Sequence, residues 1–76
     1  MNFLDLNKVR GLVKDAAYKG FYDAGTGFIY PEFKVKLNTF LEDTKARISG
    51  GTMSIDMSVI RAYEFGKQSY LENPKF

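Results

Sequence analysis

The sequence predicts an all-α fold, a compact three-helix domain, and three observations carry that prediction. Three stretches of about eighteen residues each repeat apolar side chains at the spacing of a helix. Tyr30-Pro31 and Gly50-Gly51 divide them. The run Phe33-Lys34-Val35-Lys36-Leu37-Asn38 alternates with the period of a strand, but the helical pattern fits longer there and only Phe28-Ile29-Tyr30 offers a pairing partner. Helices are therefore expected over roughly residues 5–24, 31–48 and 55–72, with a short extended aromatic segment at 28–30, and residues 1–76 form a single helical domain.

In the first helix Leu6, Val9, Val13, Ala16, Ala17, Gly20 and Ala24 fall on one stripe when each residue turns by about 100°. Asn2 or Asp5 is the expected cap, a side-chain oxygen accepting from a backbone N–H that the first turn leaves unpaired. Gly25-Thr26-Gly27 is expected to end the helix in the left-handed conformation. Gly20 lies on the core stripe, where close approach of a second helix explains it; Gly11 does not. Leu4, Gly11, Tyr18 and Tyr22 form a second stripe on the opposite side. That strip must meet either the segment Phe28-Ile29-Tyr30 or a partner, since a lone three-helix bundle buries one face of each helix.

The second helix opens at Pro31, whose fixed φ and missing N–H suit the first helical position, and Glu32 adds a carboxylate at the positive end of the helix dipole. Phe33, Leu37, Phe40, Leu41, Thr44 and Ile48 make its core stripe, with Lys45 and Arg47 near the carboxyl end. The third helix is expected to start on Ser54 as cap, with Asp56 in its first turn. Ile55, Val59, Ala62, Tyr63, Gly66 and Tyr70 make its stripe, while Met57, Ile60, Phe65 and Leu71 fall on scattered sides. Asn73-Pro74 closes it, because a residue before proline is pushed out of helical geometry.

Composition narrows the function classes. Cysteine and histidine are both absent from the 76 residues, which removes disulfides, thiolate chemistry and the usual zinc sites together. A chain of this size sits near the lower limit for an unassisted core. The net charge of +2 is spread evenly, as +1 over residues 1–30, +1 over 31–51 and zero over 52–76, so no segment is a basic arm. Asp15 with Lys19, Glu32 with Lys36 and Asp43 with Arg47 are spaced to pair along helix surfaces. Met1-Asn2-Phe3-Leu4-Asp5 resembles no signal peptide, no apolar run reaches membrane-spanning length, and a cytoplasmic location without membrane contact is expected.

No catalytic signature is present. Without His or Cys, a Ser or Thr nucleophile would need a Lys or carboxylate base, and nothing marks one. Adjacent Glu42 and Asp43 point about 100° apart on a helix and suit solvent better than a shared cleft. Gly25-Thr26-Gly27, Gly50-Gly51 and Gly66-Lys67 lack the spacing of dinucleotide or P-loop patterns. Neither an enzyme nor a cofactor or metal is expected.

Seven Phe and five Tyr exceed what so small a bundle can enclose. Aromatic and methionine side chains favour protein interfaces, since they bury large area for few frozen torsions. Tyr18, Tyr22, Phe28, Tyr30, Met57 and Phe65 are the surface candidates, although for Phe28 and Tyr30 plugging the open end of the bundle is the better fit. The partner-binding set is thus Leu4, Gly11, Tyr18, Tyr22, Met57 and Phe65, and the partner is another protein or a second copy in a homo-oligomer.

Two other classes remain open. The last two helices could form a loose helix-turn-helix, but Arg61 and Lys67 face Asp56, Glu64 and Glu72, so the concentrated positive face that phosphate binding needs is missing. A small anion such as a nucleotide could be held at an oligomer seam by Arg10, Lys14 and Tyr18, with Arg61 and Lys67 as further cations.

The run Ala17-Tyr18-Lys19-Gly20-Phe21-Tyr22-Asp23-Ala24-Gly25 resembles the aromatic and glycine helix of many very small phage-encoded proteins, and Ala62-Tyr63-Glu64-Phe65-Gly66-Lys67 echoes it. The resemblance covers about a fifth of the chain and carries over no functional residue. It implies a small phage accessory protein that binds and blocks a host protein in the host cytoplasm.

Overall fold

The computed structural model describes residues 5–25 and 29–72, and these form three helices, α1 (Leu6–Ala24), α2 (Pro31–Ser49) and α3 (Ile55–Glu72). Among the described residues there is no strand. The run 33–38 is helical: Leu37 is 2% exposed and Val35 is 67% exposed, as a helix and not a two-residue repeat requires.

Local chemistry sets the helix ends. Asp5 caps α1, its Oδ1 accepting from the N–H groups of Asn7 at 3.1 Å and Lys8 at 3.3 Å. Asn2, Thr26, Gly27 and the Asn73-Pro74 stop lie outside the described residues. Pro31 opens α2 with Glu32 in the first turn. Its end is a Schellman motif: the N–H of Thr52 donates to the Arg47 carbonyl at 3.0 Å and that of Gly51 to the Ile48 carbonyl at 3.1 Å. Gly51 sits at the left-handed position, with φ of 78°. Ser54 caps α3 by accepting from the Met57 N–H at 3.1 Å.

Gly25 departs from the expected left-handed helix end. Its φ is −153°, a conformation open to any residue, and a different constraint selects glycine there. A Cβ at Gly25 would overlap the ring of Tyr70.

Short connections return α2 antiparallel to α1 and bring α3 back alongside α1 in the same sense, so Gly25 meets Tyr70. Most of the interhelical contact lies between α1 and α3. Their approach is close enough that a Cβ on Gly20 would overlap the Tyr63 carbonyl, and one on Gly66 the Ala17 carbonyl. The expected close approach at Gly20 is therefore met by the backbone of α3, whereas Gly11 has nothing within 4 Å.

Small side chains permit that approach and rotate α3 away from its expected stripe. Ser58, Ala62, Gly66 and Ser69 are buried with Tyr70, while Ile55, Val59 and Tyr63 are only half-buried at the edge. The Ser58 hydroxyl donates to the Ile55 carbonyl at 2.6 Å, so a buried polar group costs little. Serines look polar in sequence, yet in a helix their size and this local hydrogen bond suit a tight interface.

Where α2 meets the pair, aromatic rings fill the wider gap. Phe21 is fully buried and lies 4.5 Å from Phe33, 5.2 Å from Tyr70 and 5.6 Å from Tyr30 between ring centroids. Burying a side chain of that size stabilises the fold by roughly 1.5–3 kcal/mol. Phe21 was not on the expected stripe, because α1 touches both other helices and so buries an arc wider than one stripe. Phe33, Leu37, Leu41, Thr44 and Ile48 of α2 are buried as expected, and Phe40 is half-buried.

Candidate interaction surface

Most of the sequence-derived candidates now have a place. Tyr18 is half-buried, its ring 6.1 Å from Phe33 of α2 and stacked 6.3 Å from Tyr22, which is exposed. The second stripe of α1 is thus partly covered by the start of α2, with Tyr22 left open. Gly11 lies half-buried on the same side, and Leu4 and Phe28 fall outside the described residues.

Tyr30 does not face outward. It is buried, and its hydroxyl donates to the Ser69 carbonyl at 3.2 Å, tying the connection between α1 and α2 to α3. Burial, with the nearby Glu32 carboxylate, pushes its phenol above the ordinary tyrosine pKa. It plugs the bundle end.

Phe65 also turns inward. Its ring stacks on Phe40 at 4.4 Å and on Phe33 at 6.0 Å, closing the seam between α2 and α3. Outside that seam a shallow open groove is lined by Val35, Lys36, Thr39, Phe40, Asp43 and Phe65. A second, interior gap between α1 and α2 has a volume of about 10 Å³, about one water molecule in size.

Met57, Ile60 and Leu71 are not scattered. At about 100° per residue they share an arc of roughly 60° on the side of α3 that faces away from Ser58, Ala62, Gly66 and Ser69. They are 53%, 64% and 53% exposed. Periodicity contained this face, but it emerges only when the stripe that α3 buries is placed correctly.

The basic candidates do not converge. The Arg10 guanidinium lies 3.6 Å from the Glu42 carboxylate, and Lys14 Nζ sits 5.8 Å from the centre of the Tyr18 ring. Arg61 and Lys67 are exposed on α3, about 120° apart around its axis. Of the three local ion pairs expected along the helices, Asp43 with Arg47 forms at 2.8 Å; Asp15 with Lys19 and Glu32 with Lys36 do not come within 4.0 Å.

The Tyr63 hydroxyl donates to Asp23 Oδ2 at 2.7 Å across the outer edge of the α1–α3 contact. That hydrogen bond, and then desolvation, raises the phenol's pKa. Among the described residues no three Asp or Glu side chains gather as metal ligands, and no helix is long and apolar enough to cross a membrane. These features define a small three-helix protein with an exposed apolar helix face. No protein-family model matches the chain, and no curated protein or solved structure shows significant similarity to it.

Proposed function

We propose that the chain is a non-enzymatic protein–protein interaction module that associates with itself. The observation that supports this reading is the outer face of α3, where Met57, Ile60 and Leu71 remain more than half exposed although the chain's interior already holds Phe21, Phe33, Leu37 and Leu41. Scattered exposed apolar residues are ordinary, whereas a row along one helix face favours contact with another protein. Blocking of a host protein, the role the phage-like helix suggests, belongs to the same proposal.

Molecular mass in solution tests it. Light scattering on the purified chain over a concentration series should show a dimer or higher oligomer at micromolar concentration, and a clean monomer at high concentration would refute self-association. Binding to random duplex DNA should be negligible at physiological salt, because basic and acidic groups are interleaved. Submicromolar binding with a steep salt slope would overturn the protein-binding reading and turn attention to Lys34, Lys36, Arg61 and Lys67.

A further inference from the structure

The outer face of α3 holds a sequence of positions more specific than an apolar row. Met57, Ile60, Glu64, Lys67 and Leu71 are separated by three, four, three and four residues, the spacing of the seam positions of a heptad. All five are exposed, and their side of the helix is opposite the residues that α3 buries against α1. The seam is thus available along the length of the helix.

We propose that α3 pairs with α3 of a second copy in an antiparallel two-stranded seam, with reciprocal contacts of Glu64 and Lys67 at its centre. This inference rests on the self-association proposed above and assigns its surface. A two-fold axis between Phe65 and Gly66 sets Ile60 against the partner's Leu71 and Glu64 against the partner's Lys67. The same two contacts then recur in reverse. Four layers result, spanning about 16 Å of helix at 1.5 Å per residue, with apolar layers outside and opposite charges inside.

Charge selects this arrangement over its competitor. In a parallel, in-register pair Glu64 would face Glu64 and Lys67 would face Lys67, two like-charge contacts at the centre of the seam. The antiparallel pair converts both into attractions. Neither side chain has an ion-pair partner within 4.0 Å inside its own chain among the described residues, so both are available to a second copy. Polar residues at seam positions fix register and orientation at some cost in affinity, and a seam this short belongs with weak, transient associations rather than permanent ones.

The test is a set of variants followed by sedimentation equilibrium. Ile60→Asp should give a monomer with unchanged helicity, since Ile60 is 64% exposed and lies outside the hydrophobic core. Glu64→Lys alone and Lys67→Glu alone should each weaken the dimer by more than about tenfold, because each sets like charges face to face. The double variant should recover the parental affinity, and an equimolar mixture of the two single variants should form heterodimers. Failure of that rescue, or a dimer insensitive to Ile60→Asp, would overturn the α3 seam. If those variants remain dimeric and Tyr22→Ala dissociates them, self-association stands on another surface. If the parent chain is monomeric throughout, both proposals fall.

Discussion

Adding one methyl group at Gly66 and, in a separate variant, at Gly11 tests the close contact of α1 and α3, because the intrinsic effect is shared and only the surroundings differ. Alanine is favoured over glycine inside a helix by up to about 1 kcal/mol. At Gly11 the new Cβ meets nothing within 4 Å, so Gly11→Ala should stabilise the fold by roughly 0.5–1 kcal/mol and raise Tm by roughly 2–8 °C. At Gly66 it would overlap the Ala17 carbonyl oxygen and lie 2.9 Å from the Phe21 nitrogen. Both are backbone atoms of the facing helix, with no rotamer to retreat into, so the helices must part. Overpacking of that kind costs about 1–3 kcal/mol or more, and separation also loosens the contacts of Ala17, Gly20 and Ala62. After the propensity gain is subtracted, Gly66→Ala should destabilise by about 2 kcal/mol, a fall in Tm of roughly 8–16 °C. Circular-dichroism melts decide this, at one low protein concentration because association with a second copy would itself raise Tm. A Gly66→Ala variant that melts at or above the parent temperature would refute the close α1–α3 crossing.

Leu37→Ala should leave a cavity and cost about 2–5 kcal/mol, close to the whole stability of so small a domain, while Val35→Ser should leave Tm nearly unchanged; urea unfolding of the two separates them. Stability should also fall in alkali. Tyr30 and Tyr63 both have phenol pKa values raised above 10.0 in the folded state, so their contribution is complete below the unfolded value and is lost as pH rises through the folded ones. Melts between neutral pH and the phenol range should show that decline, and Tyr63→Phe should make it shallower; an unchanged slope would remove Tyr63 from the effect.

The residues that were legible in sequence are those whose conformation is decided by near neighbours. Asp5, Pro31, Gly51 and Ser54 stand where a cap, a fixed φ or a left-handed turn is required, and the three helix starts and the end of α2 follow from them to within a residue. The stripe of α2 was legible too, because that helix rests on one broad aromatic and aliphatic seam. Phe21, Ser58 and Ser69 were not, and neither was the inward turn of Phe65. Each depends on which helix comes nearest.

The sequence by itself determined three helices, where each begins, where α2 ends and the buried row of α2, since hydrophobic period and backbone sterics act within a few residues. The tertiary structure alone decided how α3 is rotated. Gly20 and Gly66 let two backbones touch, and that contact draws the serines of α3 inward and turns Met57, Ile60, Glu64, Lys67 and Leu71 to the outside. Steric exclusion between chain segments more than forty residues apart, rather than any local preference, set the face that the protein offers to a partner.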